Sequence, residues 1–133
     1  MDFHVKGPFE VKLAPVAAAF EESQLGRMSI DKRFSGELDA GSRGEMLAYR
    51  TAVEGSAGYV AMERVTGTLG GRSGSFVMQH SGTMNRGARS LACTVVPDSG
   101  AGELRGLSGA MDIVIEAGGK HFYDFRYSLP DAP

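Results

Sequence analysis

Two ionisable side chains acquire a shared address from a pair of glycines. Glu63 lies in Tyr59-Val60-Ala61-Met62-Glu63-Arg64, His80 lies in Phe76-Val77-Met78-Gln79-His80, and Gly70-Gly71 sits midway between the two runs. A two-residue hairpin loop needs positive φ at its centre, which Gly-Gly supplies. Facing residues then have numbers summing to 141, so Glu63 opposes Met78 and Ala61 opposes His80. Glu63 and His80 become diagonal neighbours, within side-chain reach at ~7–8 Å between backbones. Their face carries Tyr59, Ala61, Glu63, Val65, Phe76, Met78 and His80, and the opposite face carries Val60, Met62, Arg64, Thr66, Val77, Gln79 and Ser81. The first set is richer in large apolar groups and is expected to point inward. Lys32 is the other charge on a face of this kind. A carboxylate beside an imidazole in an apolar pocket has shifted pKa values and can move protons, which makes Glu63 and His80 the candidate catalytic pair. The competing reading is structural: buried polar groups are mutually hydrogen-bonded, and a Glu–His or Glu–Lys pair ties strands together. A register slip of one residue would put Arg64 and Gln79 inside instead. Candidate ligand-binding residues are Lys32, Tyr59, Phe76, Met78, Tyr123 and Tyr127, the tyrosines offering either packing surface or an orienting hydroxyl.

Other chemistries lack their residues. Gly100-Ala101-Gly102 followed by Gly106 imitates a dinucleotide fingerprint, but the last gap is one residue too long, and glycines stand where a helix would start. Gly67-x-x-Gly70-Gly71-x-x-Gly74 has no Gly-Lys-Ser/Thr ending and reads as a hairpin. His4, His80 and His121 fall in separate segments with no Cys or carboxylate at metal-ligand spacing, so neither metal nor cofactor is expected. The single Cys93 cannot form an internal disulfide; it alternates with Leu91 and Val95 and reads as a packed small hydrophobe. Fourteen Lys plus Arg against 16 Asp plus Glu give a net charge of -2, with both signs interleaved. Nucleic acid and anionic membrane are therefore not expected as partners. The start MDFHVKGPFEVK has no apolar segment behind a basic one, and no apolar run approaches a membrane span. The expected location is the cytoplasm.

The elements that must position these residues are strands. The 133 residues suit one domain, 1–133. Nineteen are glycine, twice the usual share of roughly 7%. The longest runs free of Gly and Pro are ten residues, at Val16 to Leu25, Glu45 to Glu54 and Lys120 to Leu129, too short for most helices and ample for strands. Phe3, Val5, Gly7, Phe9, Val11 and Leu13 alternate with polar residues, as do Met28, Ile30, Phe34, Gly36 and Leu38 in a second run from Arg27 to Asp39. Between them, Ala14 to Gln24 reads as a connection with one helical turn. Six more strands are expected at Glu45 to Val53, Gly58 to Leu69, Arg72 to Thr83, Ala88 to Val96, Gly102 to Ile115 and Lys120 to Leu129, with Ala40 to Gly44 as a turn. Gly118-Gly119 reads as a second tight hairpin, with sums of 237. It sets Ile113, Ile115 and Phe122 on one face and Val114, Tyr123, Phe125 and Tyr127 on the other. A strand apolar on both faces implies a covered outer surface and hence a homo-oligomer. Eight antiparallel strands joined by hairpins lose their exposed edges by closing, so the fold class is all-β, an eight-stranded antiparallel up-and-down β-barrel.

The stretch Tyr59-Val60-Ala61-Met62-Glu63-Arg64, then Gly67-Thr68-Leu69-Gly70-Gly71-Arg72-Ser73-Gly74-Ser75-Phe76-Val77-Met78-Gln79-His80-Ser81-Gly82, resembles the signature of a bacterial family of small proteins of unknown function. Val95-Val96-Pro97-Asp98-Ser99-Gly100-Ala101-Gly102-Glu103-Leu104-Arg105-Gly106-Leu107-Ser108-Gly109 strengthens the likeness. That family is similar in fold to the barrel of plant allene oxide cyclase, and the resemblance implies an allene oxide cyclase-like barrel with a central cavity and a tendency to oligomerise. Allene oxide cyclase holds a lipid epoxide and steers its ring closure. No segment here matches its catalytic positions, so none is carried over. Three functions stay open: a barrel that binds a small, mostly apolar metabolite; a cofactor-free isomerase, cyclase or lyase using Glu63, His80 or Lys32; and an oligomeric module with a filled interior.

Overall fold

A computed structural model describes residues 1–20, 22 and 24–130. Its strands are β1 (Asp2–Val16), β2 (Gly26–Phe34), β3 (Leu38–Arg50), β4 (Ala57–Leu69), β5 (Arg72–Asn85), β6 (Ala88–Val95), β7 (Ala101–Gly102), β8 (Ser108–Ile115) and β9 (His121–Ser128). Eight of them close an antiparallel ring in chain order, and the two-residue β7 adds to β5 at Gly74 and Ser75. Closure falls on β1, whose first half pairs with β9 from Asp2↔Ser128 to Phe9↔His121 and whose second half pairs with β2 from Phe9↔Phe34 to Val16↔Arg27. The eight-stranded antiparallel barrel is therefore present, and the described residues include no α-helix. The connection expected to hold a helical turn is strand as far as Val16, and its residues 21 and 23 lie outside the described set.

The β4–β5 register is the expected one: Leu69 pairs with Arg72, Glu63 with Met78 and Ala61 with His80. Ala61, Glu63, Val65, Phe76, Met78 and His80 are buried, while Arg64 and Gln79 are exposed, so the face exchange does not occur.

The β8–β9 register differs from expectation by one residue. Ile115 pairs with His121 and Ile113 with Tyr123, giving sums of 236. The loop is Ala117-Gly118-Gly119, closed by Glu116 N–H donating to Lys120 O at 2.8 Å and Gly119 N–H donating to Glu116 O at 3.0 Å. One residue of slip moves a whole strand to the other face. Ile113 thus joins Tyr123, Phe125 and Tyr127 on one face, and Val114 pairs with Phe122 on the other. The both-faces-apolar argument for a covered surface loses its premise in this hairpin.

Two further boundaries move. The expected run from Arg27 to Asp39 breaks at Ser35-Gly36-Glu37, and Ala40 to Gly44, expected as a turn, lies within β3. The turn is held from outside: Ser35 N–H donates to Pro8 O at 3.0 Å, and the Tyr123 hydroxyl donates to Ser35 O at 2.8 Å while accepting from Leu38 N–H at 3.2 Å. Gly36, at φ 103, takes a backbone conformation closed to most residues. The expected strand Gly102 to Ile115 is likewise interrupted, with turn residues between β7 and β8.

The barrel is filled at one end and open at the other. Leu38, Leu69, Leu104, Leu107 and Leu129 close the end that carries the β2–β3 and β4–β5 turns, backed by Phe34, Phe76, Tyr123, Phe125 and Tyr127. Each such side chain contributes about 1.5–3 kcal/mol by leaving water. Towards the other end the inner wall carries Ala48, Ala57, Ala61 and Gly82, and there the lumen stays empty.

Candidate functional site

The empty half is a cavity of about 490 Å³, lined by apolar side chains including Phe9, Val11, Ile30, Met46, Leu91 and Ile113. Lys32, Ala61 and His80 line it at its deep end, below Tyr59 and Gly82. Tyr59 pairs directly with Gly82 across β4 and β5. A Cβ on Gly82 would lie 2.4 Å from the Tyr59 ring, so the absent side chain is what lets the ring lie there.

Beneath the floor sits a charged cluster. Lys32 Nζ donates to Glu63 Oε2 at 2.8 Å, Ser42 Oγ donates to Glu63 Oε1 at 2.7 Å, and His80 Nε2 lies 2.8 Å from Glu63 Oε2. Strand register places all four residues: Lys32 pairs with Ser42 across β2 and β3, and Glu63 pairs with Gly44 across β3 and β4. Gly44 is a packing requirement, since a Cβ there would lie 2.0 Å from Met62 O and 2.7 Å from Glu63 Cα. The Lys32 ammonium also lies 5.2 Å from the Phe9 ring centroid and 5.9 Å from that of Phe34, at cation–π distance.

The cluster keeps Glu63 ionised. Burial, the largest single influence, pushes its pKa up, but the hydrogen bond from His80, the charge of Lys32, the charge of His80 and the Lys32 hydrogen bond together outweigh it and hold the carboxyl at about 2. Cys93 goes the other way. Burial, then the charge of Glu63, pushes its thiol up to about 12. Its Sγ lies 3.3 Å from His80 Nε2, the same nitrogen that meets Glu63. A cysteine nucleophile needs one imidazole nitrogen on the thiol and the other on the acid. Cys93 is therefore a packed neutral thiol in this arrangement.

No buried side-chain nitrogen or oxygen among the described residues lacks a hydrogen-bond partner. His80 meets Glu63 and Cys93 through Nε2, its Nδ1 makes no hydrogen bond with a described residue, and the ring lines the cavity. Among the described residues no three His, Cys, Asp or Glu side chains are grouped to hold a metal ion.

The structure brings together Glu63, His80 and Lys32, and sets Tyr59 on the cavity wall with its ring centroid 6.4 Å from that of His80. Phe76, Met78, Tyr123 and Tyr127 lie in the filled half and do not line the cavity. Phe76 stacks on Phe125, Tyr127 stacks on Phe3, and the Tyr123 hydroxyl staples the Ser35 turn. Ser42 carries no local signal of a site residue, because its stretch, Ala40 to Gly44, reads as a turn and is strand. The alternation Leu38, Ala40, Ser42 would have put it on the inner face beside Lys32.

A family model described as a protein of unknown function (DUF3224) matches residues 5–127. A crystal structure of a protein with unknown function from the DUF3224 family of Shewanella oneidensis MR-1 is 53% identical to this chain, with a TM-score of 0.92, and the likeness covers 99% of this chain and 100% of that one. No curated protein matches.

Proposed function

This chain belongs to the DUF3224 family of proteins of unknown function, and on that premise we propose that its barrel binds a small, mostly apolar molecule in the open half of the lumen, in the cytoplasm. One observation carries the reading: an apolar cavity of about 490 Å³ ends on Lys32 and His80, both tied to an ionised Glu63. Ligand sites are commonly of this size, walled by apolar groups with a few placed polar ones. Stability alone does not call for such a cluster, because well-packed apolar residues in place of a buried ion pair are often neutral or stabilising. Native mass spectrometry of freshly purified protein tests the proposal: a retained adduct of small mass, lost on organic extraction, supports it. Protein that arrives bare and takes up no apolar compound overturns it.

A second reading, a cofactor-free isomerase, is favoured by the disposition of His80. Glu63 orients the ring through Nε2, and the other ring nitrogen is left to exchange a proton with a bound ligand, giving it at one carbon and recovering one from another. Exchange of solvent deuterium into the ligand, lost in His80→Gln with binding retained, supports it; exchange that survives the substitution opposes it.

A homo-oligomer is proposed from Leu47, Val60 and Met62, exposed at 43%, 54% and 50% on β3 and β4. A light-scattering mass of one chain would remove it.

A further inference from the structure

We infer that the cavity selects amphiphiles with an anionic head, seated with the head at the mouth between Arg50 and Arg89 and the apolar tail towards the floor. This rests on the binding reading above and specifies its ligand class.

Among the described residues, the charged side chains that line the cavity are Lys32, Arg50 and Arg89, accompanied by His80 and His121, and no described carboxylate lines it. Lys32 is answered by Glu63 at 2.8 Å. Arg50 and Arg89 form no ion pair with any described residue. Their placement follows from register. Arg50 pairs with Ala57, Ala57 with Met84 and Met84 with Arg89, one row across β3, β4, β5 and β6. Ala57 shares the inward parity of Tyr59, Ala61 and Glu63, so both arginines leave the inner wall at the rim. Three strand spacings separate their backbones, at most about 15 Å around a curved wall. Two long guanidinium stems can converge on one head group across that gap.

Besides the two arginines, Thr83, Ser90 and His121, the lining near the mouth is apolar. Leu13, Met84 and Ile115 line the cavity while 50%, 36% and 42% exposed. An amphiphile would cover this collar with its first methylenes and leave its head in reach of the two forks, which fit carboxylate, sulfate or phosphate oxygens. The floor offers the anion less: the Lys32 charge there is already neutralised by Glu63 at 2.8 Å, whereas the two arginines at the mouth have no such partner among the described residues. The field of Arg89 also reaches the wall, since it opposes the burial that pushes the Tyr59 phenol pKa up. Glu22, Glu54 and Glu116 are the described carboxylates in loops at the same end, and all three lie outside the lining.

Displacement of the uncharged dye prodan, by decanoate or by its neutral counterpart decanol, at mildly alkaline pH, tests this. Wild type is expected to prefer decanoate by about tenfold, with the preference shrinking as salt rises. Arg50→Gln/Arg89→Gln is expected to reduce the preference to about twofold or less by weakening decanoate far more than decanol, while Arg50→Lys/Arg89→Lys keeps most of it. Dye binding with no preference for decanoate, or a preference that survives the Gln pair, overturns the anionic head and leaves the binding reading standing. Absence of binding by dye, acid and alcohol alike overturns both.

Discussion

The Lys32 ammonium lies 2.8 Å from the Glu63 carboxylate, and the two side chains are 7% and 1% exposed. An ion pair this dry is sensitive to losing one member. Lys32→Met leaves Glu63 charged beneath an apolar cavity and is expected to cost about 3–5 kcal/mol. Lys32→Met/Glu63→Met removes both charges and is expected to recover a large part of that loss. Urea unfolding measures both; a Lys32→Met cost under about 1 kcal/mol contradicts the pairing.

Acid is expected to act through the same carboxyl. Glu63 titrates near 4.5 when unfolded and at about 2 when folded. A depressed folded value gives stability that is fully present above the unfolded pKa and lost as pH falls through the folded one. Wild type is therefore expected to lose stability between about pH 4.5 and 2 more steeply than Glu63→Gln does. Parallel unfolding curves for the two proteins across that range would contradict the buried ionised state.

Cys93 is expected to resist alkylation. Its thiol is 2% exposed and pushed up to about 12, and thiolate is the reacting form. Iodoacetamide at neutral pH is expected to modify the folded protein at least about 100-fold more slowly than the urea-unfolded chain. Comparable rates would mean that the cluster is open to solvent or the thiol activated.

Two glycines separate a packing requirement from a tolerant site. Gly44→Ala forces β3 away from Glu63 and is expected to cost about 2 kcal/mol or more. Gly26→Ala meets only Ala48 O at 3.7 Å, an ordinary contact, and is expected to be neutral or stabilising by up to about 1 kcal/mol. Equal melting temperatures for the two variants would contradict the close β3–β4 approach.

These contrasts show which parts of the barrel are legible in sequence. Gly70-Gly71 sets register locally, and the Glu63–His80 relation follows from two turn residues and the period of a strand. Gly118-Gly119 misleads because the loop takes in Ala117, and a loop longer by one residue exchanges faces while leaving composition unchanged. The break at Ser35-Gly36-Glu37 is invisible locally because Tyr123 makes it, from a strand more than eighty residues away. Hydrophobicity separates inside from outside along each strand but not the filled end from the open one. That division depends on which leucines of the residue 96–107 loop and the C-terminal segment fold over one mouth, so Phe76, Met78, Tyr123 and Tyr127 read like lumen walls when they are packing. Arg50 and Arg89 carry no local mark, since their row at the rim exists only after four strands have paired.

The most direct measurement is a prodan titration of wild type beside Ala61→Trp, whose added ring would occupy the cavity between Lys32 and His80. One-to-one binding by wild type, abolished in a variant with an unchanged far-ultraviolet spectrum, is the expected result. Equal binding by both proteins, or none by wild type, would contradict a ligand site in the lumen.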